Sequence, residues 1–163
     1  MKHTITVLVE NEFGVLSTVV GLFSGRGFNI DSLSVAPTND ETISRITIVT
    51  SGDDQVFEQI TKQLNKLISV IKVIDYSDRS AIEREMALIK VSAKDESRAE
   101  VLRIVDIFRA KIIEVTPRSY TIETTGAPGK IEAILELLYP IGVQELVRTG
   151  PTAIGRGATG WNG

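Results

Sequence analysis

The chain has 163 residues, 42% of them hydrophobic, and a formal charge of −3 with Lys and Arg scattered along it. That is material for one ordinary domain or two small ones, with no basic footprint for nucleic acid and no apolar run near the roughly 18–20 residues that span a membrane. Cysteine is absent and His3, at a start expected to fray, is the single histidine. The first absence excludes disulfides, thiolate ligands and a cysteine nucleophile, and a His-based triad or a His-cluster metal site would be hard to build from one terminal histidine.

The opening MKHTITVLVE alternates polar and apolar, so it reads as a strand over Thr4–Glu10 rather than as a signal peptide. A cytoplasmic location is the expectation, compatible with the missing cysteine. Val15, Leu16, Val19, Val20 and Phe23 follow at helical spacing. Leu33 and Val35 resume the period of two, Pro37-Thr38-Asn39-Asp40 makes a turn by its residue chemistry, and Ile46 and Ile48 return as the second arm of a hairpin. Ser51-Gly52-Asp53-Asp54 opens a second helix with Val56, Ile60, Leu64 and Leu67 inward, and Val70 to Ile74 closes the set.

Tyr76-Ser77-Asp78-Arg79-Ser80 reads as a linker, and beyond it the same order recurs. Met86 to Val91 is a strand; Ser97 with Glu100 predicts a capping box before Val101, Leu102, Val105 and Phe108. Ile112–Val115 and Tyr120–Thr124 pair around a turn, a helix carries Ile131, Ile134, Leu135 and Leu138, and Val143–Val147 closes the second set. The predicted class is α+β: two ferredoxin-like βαββαβ units, residues 1–76 and 77–163, each a four-stranded antiparallel sheet with two helices on one face. Units this small are marginal alone, and an open sheet face or edge invites a homodimer.

Two nucleotide signatures fail on context. Gly155-Arg156-Gly157-Ala158-Thr159-Gly160 spells GxGxxG but has no room for the helix that should follow, so it reads as a flexible tail. Gly126-Ala127-Pro128-Gly129-Lys130 lacks the P-loop's first glycine and its Ser/Thr, and reads as a turn into a helix. Asp53-Asp54 and Asp95-Glu96 sit at helix starts, where carboxylates cap and offset the dipole; no third metal ligand stands near either pair. Arg45 projects from an exposed strand face, with anion binding the lesser reading. Asn11-Glu12-Phe13-Gly14, between first strand and first helix, and Gly25-Arg26-Gly27 with Asn29 after that helix, allow either plain capping or a small polar ligand on two backbone corners.

The segment NEFGVLSTVVGLFSGRGFNIDSLSVAPTNDETISRITIV resembles the ACT domain of acetolactate synthase small subunits, most tellingly in GLFSGRGFNIDSLSVAPT and SRITIV. The resemblance continues through EREMALIKV, IFRAKIIEVTPRSYTIETTG and RTGPTAIGRG, nearly the whole chain. It implies a non-catalytic regulatory subunit with no cofactor and no catalytic or metal-binding residue of its own. The separate large catalytic subunit would carry thiamine diphosphate, Mg²⁺ and FAD. The small subunit would activate it and confer feedback inhibition by valine or a related branched-chain amino acid. By the same resemblance the effector would lie at a dimer interface, with Asn11, Gly14 and Val15 on one side and Asn29 and Ile30 on the other. Two departures stand out: Phe13 replaces a proline or small residue, and Thr18 replaces an arginine. A stand-alone ACT amino-acid sensor and an acylphosphatase-like hydrolase are the alternatives, the second disfavoured by Glu12 where a phosphate cradle wants arginine.

Overall fold

A computed structural model describes residues 2–77 and 80–157. The chain forms two compact units: residues 2–82, less the two undescribed ones, together with 152–157, and residues 83–151.

The first unit begins with β1 (Lys2–Glu10), then α1 (Val15–Ser24), the hairpin β2 (Asn29–Pro37) and β3 (Ile43–Ser51), α2 (Asp54–Lys66) and β4 (Val70–Asp75). The strands form one antiparallel sheet in the order β2-β3-β1-β4. The register pairs Ile5 with Ile48 and Val7 with Ile46, so the apolar members of each alternating strand share a face. Both helices cover that face: Val19 and Phe23 from α1 and Phe57, Ile60 and Leu64 from α2 complete the core, each such side chain stabilising by about 1.5–3 kcal/mol when fully buried. Helix α2 starts where the sequence places it, with Asp53 accepting from Gln55 N–H and Val56 N–H.

Four features of this unit depart from the sequence expectations. Strand β1 starts at Lys2, and His3 is buried instead of frayed, because its ring finds an aromatic partner in α2. Tyr76 is not linker: it is buried, its N–H donates to Thr4 O at 2.9 Å and its hydroxyl accepts from Arg45. Arg45 in turn does not project freely, since its Nη2 donates to Tyr76 Oη at 3.0 Å and to Ala153 O at 2.8 Å. The Ala153 carbonyl belongs to β9 (Thr152–Gly155), a short strand unforeseen from the sequence. It pairs with β5, whose first residues belong to this unit, and packs Ala153 against Ile74, Tyr76 and Ala81. Of the GxGxxG stretch, Gly155 ends β9, and Ala158, Thr159 and Gly160 lie outside the described residues.

The second unit repeats the plan with β5 (Ala81–Ser92), α3 (Arg98–Ile107), β6 (Lys111–Val115), β7 (Ser119–Gly126), α4 (Pro128–Leu138) and β8 (Val143–Arg148), in sheet order β6-β7-β5-β8. Ile89, Val91 and Ile122 from the sheet meet Val101, Ile104 and Val105 of α3 and Ile131, Ile134 and Leu138 of α4. Pro128 at the head of α4 uses its fixed φ where the missing N–H has no intrahelical acceptor. The capping box at Ser97 does not form: the Ser97 hydroxyl turns back to Lys94 O, and Glu100 pairs instead with Arg103 at 2.9 Å. Among the described residues no helix is long and apolar enough to cross a membrane.

Candidate functional site

The loop from β1 into α1 is shaped by Gly14. Its φ of 86° and ψ of −10° are left-handed, a conformation that L side chains adopt only with strain, and a Cβ placed there would meet nothing within 4 Å. No side chain caps the helix. Val15 N–H reaches only a distant Glu12 O at 3.4 Å. The N–H groups of Leu16 and Ser17 have no partner among the described residues. Exposed N–H groups at the positive end of a helix suit a carboxylate, and Gly14 leaves the approach to them open.

A cavity of about 270 Å³ opens at this point, lined on one side by Glu12, Gly14, Val15 and Thr18 and on the other by Ile68 and Ser69 of the turn between α2 and β4. Glu12 brings a carboxylate to the same lining, a counter-charge for an ammonium group. Thr18 donates its hydroxyl to Gly14 O at 3.1 Å, which holds the first turn and leaves the oxygen lone pairs available. Phe13 and Ile68 are almost wholly exposed at the rim. The lining is therefore bipolar with an apolar edge, a match to an amino-acid zwitterion with an aliphatic side chain. It contains no arginine, as a phosphate-cleaving cradle on this loop would need.

Of the residues singled out from sequence, Gly14 and Val15 line this cavity. Asn11 stands beside the same loop: its Nδ2 donates to Glu41 O at 3.0 Å and its N–H to Thr42 O at 2.7 Å, and its Oδ1 accepts from none of the described residues. Asn29 and Ile30 are not brought to it. They begin β2 beyond the far end of α1, where Asn29 Nδ2 donates to Asp31 Oδ1 and Ile30 packs at the margin of the core. A ten-residue helix separates the two corners, a rise of about 15 Å. Ser69 and Ile68 escaped the sequence reading, because a Leu-Ile-Ser-Val run after a helix carries no polar signature. Among the described residues no group of three or more His, Asp or Glu could hold a metal ion.

Residues 5–72 match the family described as the AHAS small subunit-like ACT domain, and residues 84–157 match that described as the small subunit of acetolactate synthase. The acetolactate synthase small subunit of Mycobacterium bovis is 51% identical over 158 residues, 97% of this chain and 94% of the relative. A probable acetolactate synthase small subunit from Archaeoglobus fulgidus is 52% identical, over 96% of this chain and 98% of its own. Among solved structures, the acetolactate synthase small subunit of Thermotoga maritima superposes with a TM-score of 0.85 at 43% identity, covering 99% of both chains.

Proposed function

Since this chain belongs to the family of acetolactate synthase small subunits, we propose that it activates the catalytic large subunit of that enzyme and makes it sensitive to feedback inhibition by valine. The observation that carries the effector half of this reading is the uncapped, glycine-led start of α1 opening on a cavity of about 270 Å³. The valine carboxylate takes the free N–H groups of α1, its ammonium faces Glu12 and Asn11 Oδ1, and its isopropyl group meets the Phe13–Ile68 rim.

The effector is held between two copies of the chain. Asn29 and Ile30 stand about one helix length from Gly14 within a protomer, so only a second protomer can add them as the other wall. The exposed Phe13 and Ile68 support the same arrangement, being apolar surface that a partner would cover. Residues 1–76 hold the amino-acid-binding site and residues 77–163 complete the subunit, with segments 80–82 and 152–157 of the latter joining the first compact unit. The chemistry, with its thiamine diphosphate, Mg²⁺ and FAD, resides on the large subunit in the cytoplasm. Valine acts only through its different affinity for the two arrangements of the small-subunit dimer, with a coupling of about 1–3 kcal/mol that is reciprocal for binding.

The test is reconstitution with the large subunit from the same organism, following acetolactate formation from pyruvate. The expected result is activation by this chain that valine reverses. Activation without valine sensitivity overturns the effector assignment. No activation, with both proteins folded, overturns the subunit role in favour of a stand-alone amino-acid sensor.

A further inference from the structure

The helix-free face of the first unit carries a row of hydroxyls that nothing yet explains. Ser34, Thr47 and Thr6 stand opposite one another across β2, β3 and β1, on the face away from Ile46 and Ile48. Thr47 is 3% exposed and Thr6 fully buried. Among the described residues the Thr6 hydroxyl has no hydrogen-bond partner, and neither Thr47 nor Ser34 gains one through its side chain. Buried hydroxyls without partners are uncommon and cost free energy unless something else supplies the bond.

One step along β3 stands Arg45. Its Nη2 is clamped by Tyr76 Oη and Ala153 O, which fixes the plane of the guanidinium. Its Nε and Nη1 have no partner, and it has no carboxylate partner, among the described residues. A partly buried guanidinium without a counter-charge is costly. A cavity of about 300 Å³ opens beside it, with Ser34, Thr47, Arg45, Pro37 and Thr152 in its wall and no acidic residue. It shares no residue with the cavity at Gly14.

We infer that this face is a second binding site, for a small oxyanion, a carboxylate or a phosphate, held by the preset guanidinium of Arg45 and by donated hydrogens from Thr47 and Ser34. The ligand must be an anion because the site supplies one positive charge and hydroxyl donors with no carboxylate to compete. It must be small because the volume sits at the lower end of ligand pockets.

The full chain, labelled with ¹⁵N, is titrated at constant ionic strength with inorganic phosphate and separately with acetate, following Arg45 Nε–H and the amides of Thr47 and Ser34. Saturable shifts are expected with one or both ions, and the tighter of the two identifies the chemical source. Thr47→Val keeps the shape of the side chain and the Arg45 clamp but removes a donor to a charged ligand, and should weaken binding about tenfold. Gly14→Asp, at the other cavity, should leave the titration unchanged. Shifts that grow without saturating for both ions overturn the inference, as does an affinity unaltered in both Thr47→Val and Arg45→Met.

Discussion

The imidazole of His3 lies flat on the ring of Phe57, their centroids 3.8 Å apart and their planes 8° from parallel. Its two nitrogens contact Ser77 Oγ at 3.0 Å and Asp54 Oδ1 at 2.9 Å, so one side chain ties the start of β1 to α2 and to the second residue after β4. Stacking contributes about 0.5–1.5 kcal/mol beyond burial and each hydrogen bond about 0.5–1.5 kcal/mol. His3→Ala should therefore lower the stability of the first unit by about 2 kcal/mol, read from the urea midpoint. His3→Phe should recover part of this, since Asp54 is exposed enough to be solvated. An unchanged midpoint in His3→Ala would mean the stack does not hold the terminus.

Gly14 separates two effects that a single substitution would confuse. Gly14→Ala imposes a left-handed L residue, costing about 1–2 kcal/mol, yet its methyl meets open space. Gly14→Asp adds the same strain and puts a carboxylate where the effector's own carboxylate would lie. Valine binding, measured by calorimetry on the isolated chain, should survive in Gly14→Ala with a modest loss and fall by more than about tenfold in Gly14→Asp, with activation of the large subunit kept in both. Equal, full valine affinity in Gly14→Asp would place the effector elsewhere.

The plan of both units was legible because alternation in strands and three-to-four spacing in helices report burial directly. Ile5, Val7, Val19, Phe23, Ile60 and Leu64 are core by pattern and core in the structure. Pattern failed where a residue's surroundings come from far along the chain. Leu102 matches the helical period yet is exposed, and Ile104 takes its place inward. Strand β9 and the Arg45 clamp join residues 108 positions apart, a contact no local signal encodes. At the candidate site, Gly14 was visible because a required backbone conformation leaves a glycine. Ser69 was not, because its place opposite Gly14 is set by how α2 hands the chain to β4.

A second such contact lies in the second unit. The Glu85 side chain is 2% exposed, and Arg148 donates to it through Nε at 2.7 Å while a further nitrogen reaches Glu132 at the surface. Removing one partner of a buried pair leaves an uncompensated charge, at a cost of about 3–5 kcal/mol. Arg148→Met should thus be severely destabilising. Glu85→Leu combined with Arg148→Met should be much less so, because nothing charged is then left buried. Urea unfolding of the single and double variants checks the order; a double variant as unstable as the sum of the singles would assign the pair no mutual stabilisation.

The turn between β2 and β3 should titrate under acid, and its effect should reach Asn11. Asp40 Oδ1 accepts from the Thr42 hydroxyl at 2.7 Å and from Thr42 N–H at 3.0 Å. Those bonds, the hydroxyl first, hold the Asp40 carboxyl below its ordinary value. Because the folded carboxyl is the more acidic, its contribution is complete above the ordinary aspartate value and disappears as pH falls through the lowered one. The same turn receives both hydrogen bonds of Asn11, at Glu41 O and Thr42 O. The amides of Thr42 and Asn11 should therefore shift together between about pH 2 and 5, with a midpoint below that of an unperturbed aspartate. Asp40→Asn should abolish this step while keeping an acceptor for Thr42. A midpoint at or above the ordinary value would show that the carboxylate does not hold the turn, and Asn11 would then owe its position to the β1–β3 pairing alone.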